Sequence, residues 1–569
     1  MQRPVDMGIF QTDLAPDRRD PSQNTDRAVG RVVSCDGARA TIASTIAAAQ
    51  QQDPTSWNIG RLLSISAGRS RLVAMVFKVH TLEASWNDQG ENMVHIEVEL
   101  LGEVVDGAPG RSRFQGGIST YPPVGAIAHR IRATDLALVH DLGARGGVAI
   151  GSLVQDPDLP ATVSIDDMCA RHFAVLGTTG VGKSTAVSLL LRKAVAVKPR
   201  LRVLILDPHN EYTRAFPDLG ITVDAETLDL PFWMFRMEEF AEAVFRGRTP
   251  LDEERDILRE VVAMARGRNG APAAQNPLRE LSSPLLKRPL DIGASRRPTA
   301  EAGGGTEATT PYRYQDLVAA IDELIGLHEL RYSRSALKSL KLRIETLYAD
   351  PRYQFMFARA NMIETMAPVV GKIFRMPLHG RPICVFQLGG LPSEVVNAVA
   401  SVLSRLAFDL ALASQGSYEV LVLCEEAHRY VPSDPSLGFV PTRQALARIA
   451  KEGRKYGAYL GVVTQRPGEL DPTILSQCST VFAMRLANDY DQQIVRAAIA
   501  DASASTINFL SALGNREAIA FGEGVATTMR MRFAEVPRHE QPAMSDDAAL
   551  GHRRAVDADL SELLRRMGS

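Results

Sequence analysis

Cysteine is scarce: Cys35, Cys169, Cys384, Cys424 and Cys478 are the only five in 569 residues, and no two form a C-x-x-C pair. That spacing excludes a disulfide framework and a zinc knuckle. Cys384 and Cys424 sit inside apolar runs and read as small core residues. Charge of one sign is also missing, with 64 Lys and Arg against 66 Asp and Glu and a formal net charge of -2. A protein that simply coats nucleic acid is therefore disfavoured, although a ring with a basic lumen would fit inside a neutral total. No cationic-then-apolar leader opens the chain and no apolar run approaches 18 residues, so a cytoplasmic protein with no membrane partner is expected. What remains is ordinary globular usage, 45% hydrophobic and 23% charged, in a chain too long for one domain.

Hydropathy rhythm divides the chain. Residues 1–25 form a polar, flexible arm, and 26–150 alternate in short runs broken by glycine. In "MVHIEVELLGEV", Val94, Ile96, Val98 and Leu100 repeat with a period of two, as a half-buried strand requires. Gly60 and Gly68 fit bends. With no helical segment between these strands, a small antiparallel β-barrel is predicted. From 151 the rhythm becomes strand then helix, which calls for an α/β fold with a mostly parallel sheet covered on both faces. That pattern holds over 151–231 and 371–535. Between them, 232–370 reads as a helical insertion, with "GAPAAQNPLRE" and "SRRPTAEAGGGTEATTP" as loops. Residues 536–569 form a tail, with Leu560, Leu563, Leu564 and Met567 on one face of a short helix.

"GTTGVGKS", Gly177 to Ser184, fits G-x-x-x-x-G-K-[ST] and stands between a strand-like "HFAVL" and a helix-like "TAVSLLLRKA". Gly177, Gly180 and Gly182 let the backbone of Gly177, Thr178, Thr179, Gly180, Val181 and Gly182 curl with its amides inward. Lys183 can then reach the β- and γ-phosphates of ATP, Ser184 can ligate Mg2+, and Thr185 can donate to phosphate. A second run, "VLVLCEEAHRYVP", ends an apolar strand in Glu425 and Glu426. Desolvation and mutual repulsion both oppose two charges there unless a cation is near. Glu425 suits a magnesium ligand and Glu426 an acid that polarises water. In "LILDPHNEY", Asp207 competes with Glu425 for the metal, Glu211 is a further candidate, and His209 has no second histidine at ligand spacing. "VVTQRP" puts Gln465 and Arg466 past another strand, and a neutral amide beside a γ-phosphate can orient water. Arg448, Lys451 and Lys455 make one helical stripe, either a solvated face or a set of phosphate contacts.

In order along the chain, the barrel, "HFAVLGTTGVGKS", "LILDPHNEY", "LVLCEEAHRYVP", "EGRKYGAYLGVVTQRPGELDPTILSQC" and "REAIAFGEG" resemble the HerA/FtsK branch of ring-forming P-loop ATPases over about 28–535, most closely bacterial HerA-type DNA translocases. The resemblance implies a RecA-like ATPase core, a HAS-barrel-like assembly domain and a homohexamer that threads double-stranded DNA using ATP and Mg2+. It makes Glu425 the Walker B acid, Glu426 the catalytic glutamate and Gln465 the sensor. Arg454 is the candidate that reaches a neighbour's nucleotide, in competition with Arg448, Arg466 and Arg485. It also implies an effector partner: a NurA-like nuclease in end processing, or another nuclease or a sirtuin-like NADase in anti-phage defence. The competing expectation is an ATP-binding ring scaffold that activates an effector with little translocation.

Overall fold

The computed structural model describes residues 27–542 except 48–57, 69, 82–85, 88–89, 107–111, 225–226, 269–309, 328–330, 358–365 and 499–509. The expected N-terminal arm, the Leu560–Met567 face and most of the two insertion loops lie outside these residues. The described chain forms two compact units, one running to Ser164 and including Phe482–Ala534, the other spanning Ile165–Val481 and resuming at Glu535.

The first unit opens with β1 (Ala28–Cys35), β2 (Arg39–Ala47), β3 (Leu62–Ala67), β4 (Ser70–Thr81), β5 (Glu91–Asp106), β6 (Ser112–Gly116) and β7 (Ile127–Arg130). They run in the order β2-β1-β7-β3-β4-β5-β6, and an antiparallel β2–β5 pairing closes six of them into a barrel. The period-two reading of β5 holds: Val94, Ile96, Val98 and Leu100 all point into the core with Val32, Ile42, Ile65 and Leu72. Gly60 and Gly68 take positive φ, 87° and 62°, at the bends. The unit also contains β8 (Val148–Leu153) and β9 (Pro160–Val163), with antiparallel strands Glu517–Gly522 and Met529–Phe533. At four to six residues these strands are too short to carry a readable period.

The second unit holds β10 (Phe173–Leu176), β11 (Leu201–Asp207), β12 (Gly220–Val223), β13 (Ile383–Gln387), β14 (Glu419–Cys424) and β15 (Ala458–Thr464). Their order is β12-β13-β11-β14-β15-β10, with every neighbouring pair parallel. Every residue of β10, β11 and β15 is buried, as expected of strands covered on both faces. All six therefore deliver their carboxyl ends to one rim.

Between β12 and β13 lie the helices Met237–Phe245, Asp252–Arg268, Tyr314–Gly326 and Arg334–Ala349. They pack on one another, and the Phe232 ring meets Phe240 of the first helix at a centroid distance of 5.7 Å, Phe357 at 4.9 Å and Tyr312 at 5.1 Å. The helix Ser393–Ser414 is long and apolar enough to cross a membrane by length and composition, although Arg405 and Asp409 interrupt its apolar residues, and 78% of its most apolar 18-residue window is buried in the protein. It packs on β14, the Met237–Phe245 helix and the Val440–Glu452 helix.

Arg405 ties this helix to the insertion. Its Nε and Nη2 donate to Glu239 at 3.2 and 2.9 Å, Nη2 also donates to the Met234 carbonyl at 2.9 Å, and Ser401 donates to Glu239 at 2.8 Å. A buried pair gives little net stability, but leaving one member alone is costly. Glu239→Ala is expected to destabilise the protein by about 3–5 kcal/mol. Adding Arg405→Met should recover much of that loss. Denaturant unfolding of the single and double variants measures it, and a single variant as stable as wild type would show that water reaches the arginine.

Candidate active site

The phosphate loop connects β10 to the helix Lys183–Val197. Gly182 caps that helix at φ 99° and Gly180 turns at φ 79°, conformations that a Cβ would oppose. Their chirality-free backbone is what lets the loop amides face inward. Gly177 N–H donates to the Thr464 carbonyl at 3.3 Å, which fixes the loop's entry against β15. Lys183 is buried, and its Nζ donates to the Thr178 carbonyl at 3.1 Å. Ser184 and Thr185 occupy the first turn of the helix.

Three acids act on that lysine. Burial lowers the Lys183 pKa, while Glu425, Glu426 and Glu211 pull it back up. Glu425 is 2% exposed, directly past β14, and its backbone N–H donates to the Leu206 carbonyl at 3.2 Å. Burial is the main reason its carboxyl is pushed up to about 8, with Glu211 and Glu426 adding to the rise and Tyr212 and Lys183 opposing it. Tyr212 Oη donates to Glu425 Oε2 at 2.7 Å. Glu426 follows in the left-handed region at φ 51°.

Asp207 and Glu211 separate clearly. Asp207 is fully buried and its two oxygens accept the backbone N–H groups of His209, Glu211 and Tyr212 at 3.3, 3.1 and 2.9 Å. It folds the loop after β11. Glu211 is instead the acid that meets Ser184, whose hydroxyl donates to it at 2.5 Å. His209 takes part through its backbone, and no cluster of three or more His, Cys, Asp or Glu suited to a metal occurs among the described residues. Tyr212 is a participant that sequence reading passed over, because nothing in an isolated tyrosine announces a carboxylate 213 positions away.

Past β15, Gln465 Oε1 accepts a hydrogen bond from Thr179 in the phosphate loop. His428 Nδ1 lies 3.0 Å from Thr464 Oγ1 and 3.4 Å from Glu426 Oε2. Burial lowers the His428 pKa despite Glu426. The candidate arginines divide by their surroundings. Arg448 lies 4.1 Å over the Phe408 ring and near Asp409 and Glu452, Arg466 pairs with Glu469 at 2.8 Å, and Arg485 donates to Asn515 at 3.4 Å in the first unit. Arg454 is exposed on the turn Gly453–Lys455. A Cβ on Gly453 would stand 2.2 Å from the Ala458 carbonyl oxygen, so glycine is what allows this turn to press against β15.

These residues fit a nucleotide with a hard divalent cation. The loop offers a lysine, and the Ser184 hydroxyl with its Glu211 partner, together with Glu425 nearby, offers oxygen donors of the kind that magnesium prefers while leaving room for phosphate and water ligands. Glu426 Oε2 is buried without a hydrogen-bond partner, a polar atom still open to one.

Several known proteins are similar to this chain. Residues 148–407 match the family described as helicase HerA, central domain. The chain is 24% identical over 471 residues to the DNA double-strand break repair helicase HerA of Pyrococcus furiosus, covering 78% of each chain. It is 25% identical over 386 residues to the protein of the same description from Saccharolobus solfataricus, covering 66% of each. Among solved structures it is similar to VirB4 of Thermoanaerobacter pseudethanolicus (14% identity, TM-score 0.47, 71% of this chain and all of that one). It is also similar to the bacterial conjugative coupling protein TrwB (14% identity, TM-score 0.43, 72% of this chain and 93% of that one).

The raised Glu425 pKa has a sign that can be checked. At pH 7 a carboxyl titrating near 8 is mostly protonated, and a cation beside it favours the charged form, so ligand binding expels its proton. Through Glu425, affinity should rise with pH up to about 8 and then level off. Relative to Glu425→Gln, wild type should release more protons per magnesium–nucleotide bound at pH 7. Calorimetry with a non-hydrolysable ATP analogue in buffers of different ionisation heat measures the difference. Equal proton counts would place the Glu425 carboxylate away from the cation.

Proposed function

We propose that this chain, a P-loop ATPase of the HerA/FtsK type, is a motor that moves along double-stranded DNA. It would work as a homohexameric ring and deliver DNA to an effector such as a NurA-like nuclease, another nuclease or a sirtuin-like NADase. The observation that carries the reading is the convergence of Lys183, Ser184, Glu211, Glu425 and Glu426 at the carboxyl rim of one parallel sheet. The HerA relatives, described as DNA double-strand break repair helicases, support DNA as the track.

Ser184, Glu425 and Glu211 would hold magnesium, which when bound offsets charge on the β- and γ-phosphate oxygens. Lys183 would exchange the Thr178 carbonyl for phosphate oxygens and stabilise charge as it develops. Tyr212 would keep Glu425 turned toward the metal. Glu426 would accept the proton of the attacking water, and Gln465 would orient that water. Arg454, exposed on a turn braced by Gly453, is the residue assigned to a neighbouring subunit's nucleotide. Contacts to DNA phosphates give grip without base readout, so little sequence preference is expected.

Lys183→Ala and Glu426→Gln are each expected to lower ATP turnover by at least about a hundredfold. Glu426→Gln should still bind nucleotide. Duplex DNA should raise wild-type turnover, and native mass measured with ATP and DNA should be that of six chains. Turnover indifferent to DNA in the isolated chain, but raised by an effector protein, would favour the ring scaffold. Full activity in Glu426→Gln would remove the role assigned to that residue.

A further inference from the structure

Glu426 is placed at some energetic cost. A non-glycine residue at φ 51° is in a disfavoured region, and its Oε2 is buried without a hydrogen bond. The side chain set against that oxygen is His428, with Nδ1 3.4 Å away. The same nitrogen is 3.0 Å from Thr464 Oγ1. Thr464 is the fully buried last residue of β15, and its two oxygens are already engaged. Oγ1 accepts the Arg466 amide at 3.0 Å, while the carbonyl accepts Gly177 N–H at 3.3 Å. The next residue, Gln465, meets Thr179.

The carboxylate decides the histidine tautomer. A lone pair on Nδ1 would repel Glu426 Oε2, so Nδ1 carries the hydrogen, donating to Thr464 with the glutamate oxygen at the longer distance. One N–H thus faces two acceptors. One belongs to the glutamate, and the other to a strand end held to the phosphate loop on both sides.

We propose that His428 is a positioning residue for Glu426, its Nδ1–H passing from Thr464 Oγ1 to Glu426 Oε2 when the end of β15 shifts with the phosphate loop. Bound at Oε2, the glutamate keeps its other oxygen free for water. Bound to Thr464, the histidine leaves the glutamate unaligned. Nucleotide contact by Thr179 and Gln465 is thereby reported to the base across two strands. The proposal rests on Glu426 being that base.

Steady-state ATPase of the full chain with duplex DNA tests it, comparing wild type with Glu426→Gln, His428→Ala, His428→Asn and Thr464→Val. With turnover lost in Glu426→Gln, His428→Ala is expected to lower kcat at least about tenfold while KM for ATP stays within about twofold. His428→Asn, whose side-chain N–H lies near the Nδ1 position, should recover most of kcat. Thr464→Val, which keeps the side-chain shape and leaves Nδ1–H facing Glu426 alone, should by contrast keep kcat within about twofold of wild type. The relay is overturned if kcat of His428→Ala stays within about twofold of wild type, if its loss appears in KM, or if Asn performs no better than Ala at equal thermal stability. Turnover retained by Glu426→Gln would overturn the base assignment itself, a result readily told apart from failure of the relay alone.

Discussion

Three acids press on one lysine at this rim, with Glu425 and Glu426 2% and 6% exposed beside buried Lys183 and half-buried Glu211 completing the set. That excess of negative charge is the constraint from which the rest of the site follows. Left alone, it resolves by holding a proton on Glu425 and by turning Lys183 back onto a carbonyl of its own loop. Both adjustments are reversible. The ligand best suited to undo them brings a divalent cation for the acids and an anion for the lysine, and a magnesium-bound nucleotide is both at once.

Parallel topology is what makes such a concentration of charge possible. The strand order brings β11, β14, β15 and β10 side by side, so residues 207, 424, 464 and 176 end together although they lie far apart in the chain. Each of those ends then does a different job. The β10 end begins the phosphate loop, the β11 end folds a loop that presents Glu211 and Tyr212, the β14 end carries the acid pair, and the β15 end reaches back to the loop through Thr464 and Gln465.

Much of this was legible in the chain because it depends on local rules. A glycine-rich run between strand and helix, a doubled acid after an apolar run, and alternation in β5 each follow from backbone geometry or period. The parts that were not legible are those set by tertiary contact. Asp207 and Glu211 are both acids after one strand, and only the direction of the Asp207 side chain, into three local amides, leaves Glu211 as the one that meets Ser184. Tyr212 and His428 owe their relevance to partners on other strands. The four short strands Val148–Leu153, Pro160–Val163, Glu517–Gly522 and Met529–Phe533 lacked enough residues to display a rhythm.

Gly461, in the middle of β15, limits how this site can move. A Cβ there would lie 2.6 Å from Leu423 on β14 and 2.8 Å from Phe173 on β10, so the side chains of the two flanking strands close over the one between them. Interiors packed this tightly resist sliding. Around Gly461 the three strands consequently behave as a single rigid plate, and motion driven from the nucleotide has to leave through its edge, from residues 176, 424 and 464 into the loops and turns beyond them.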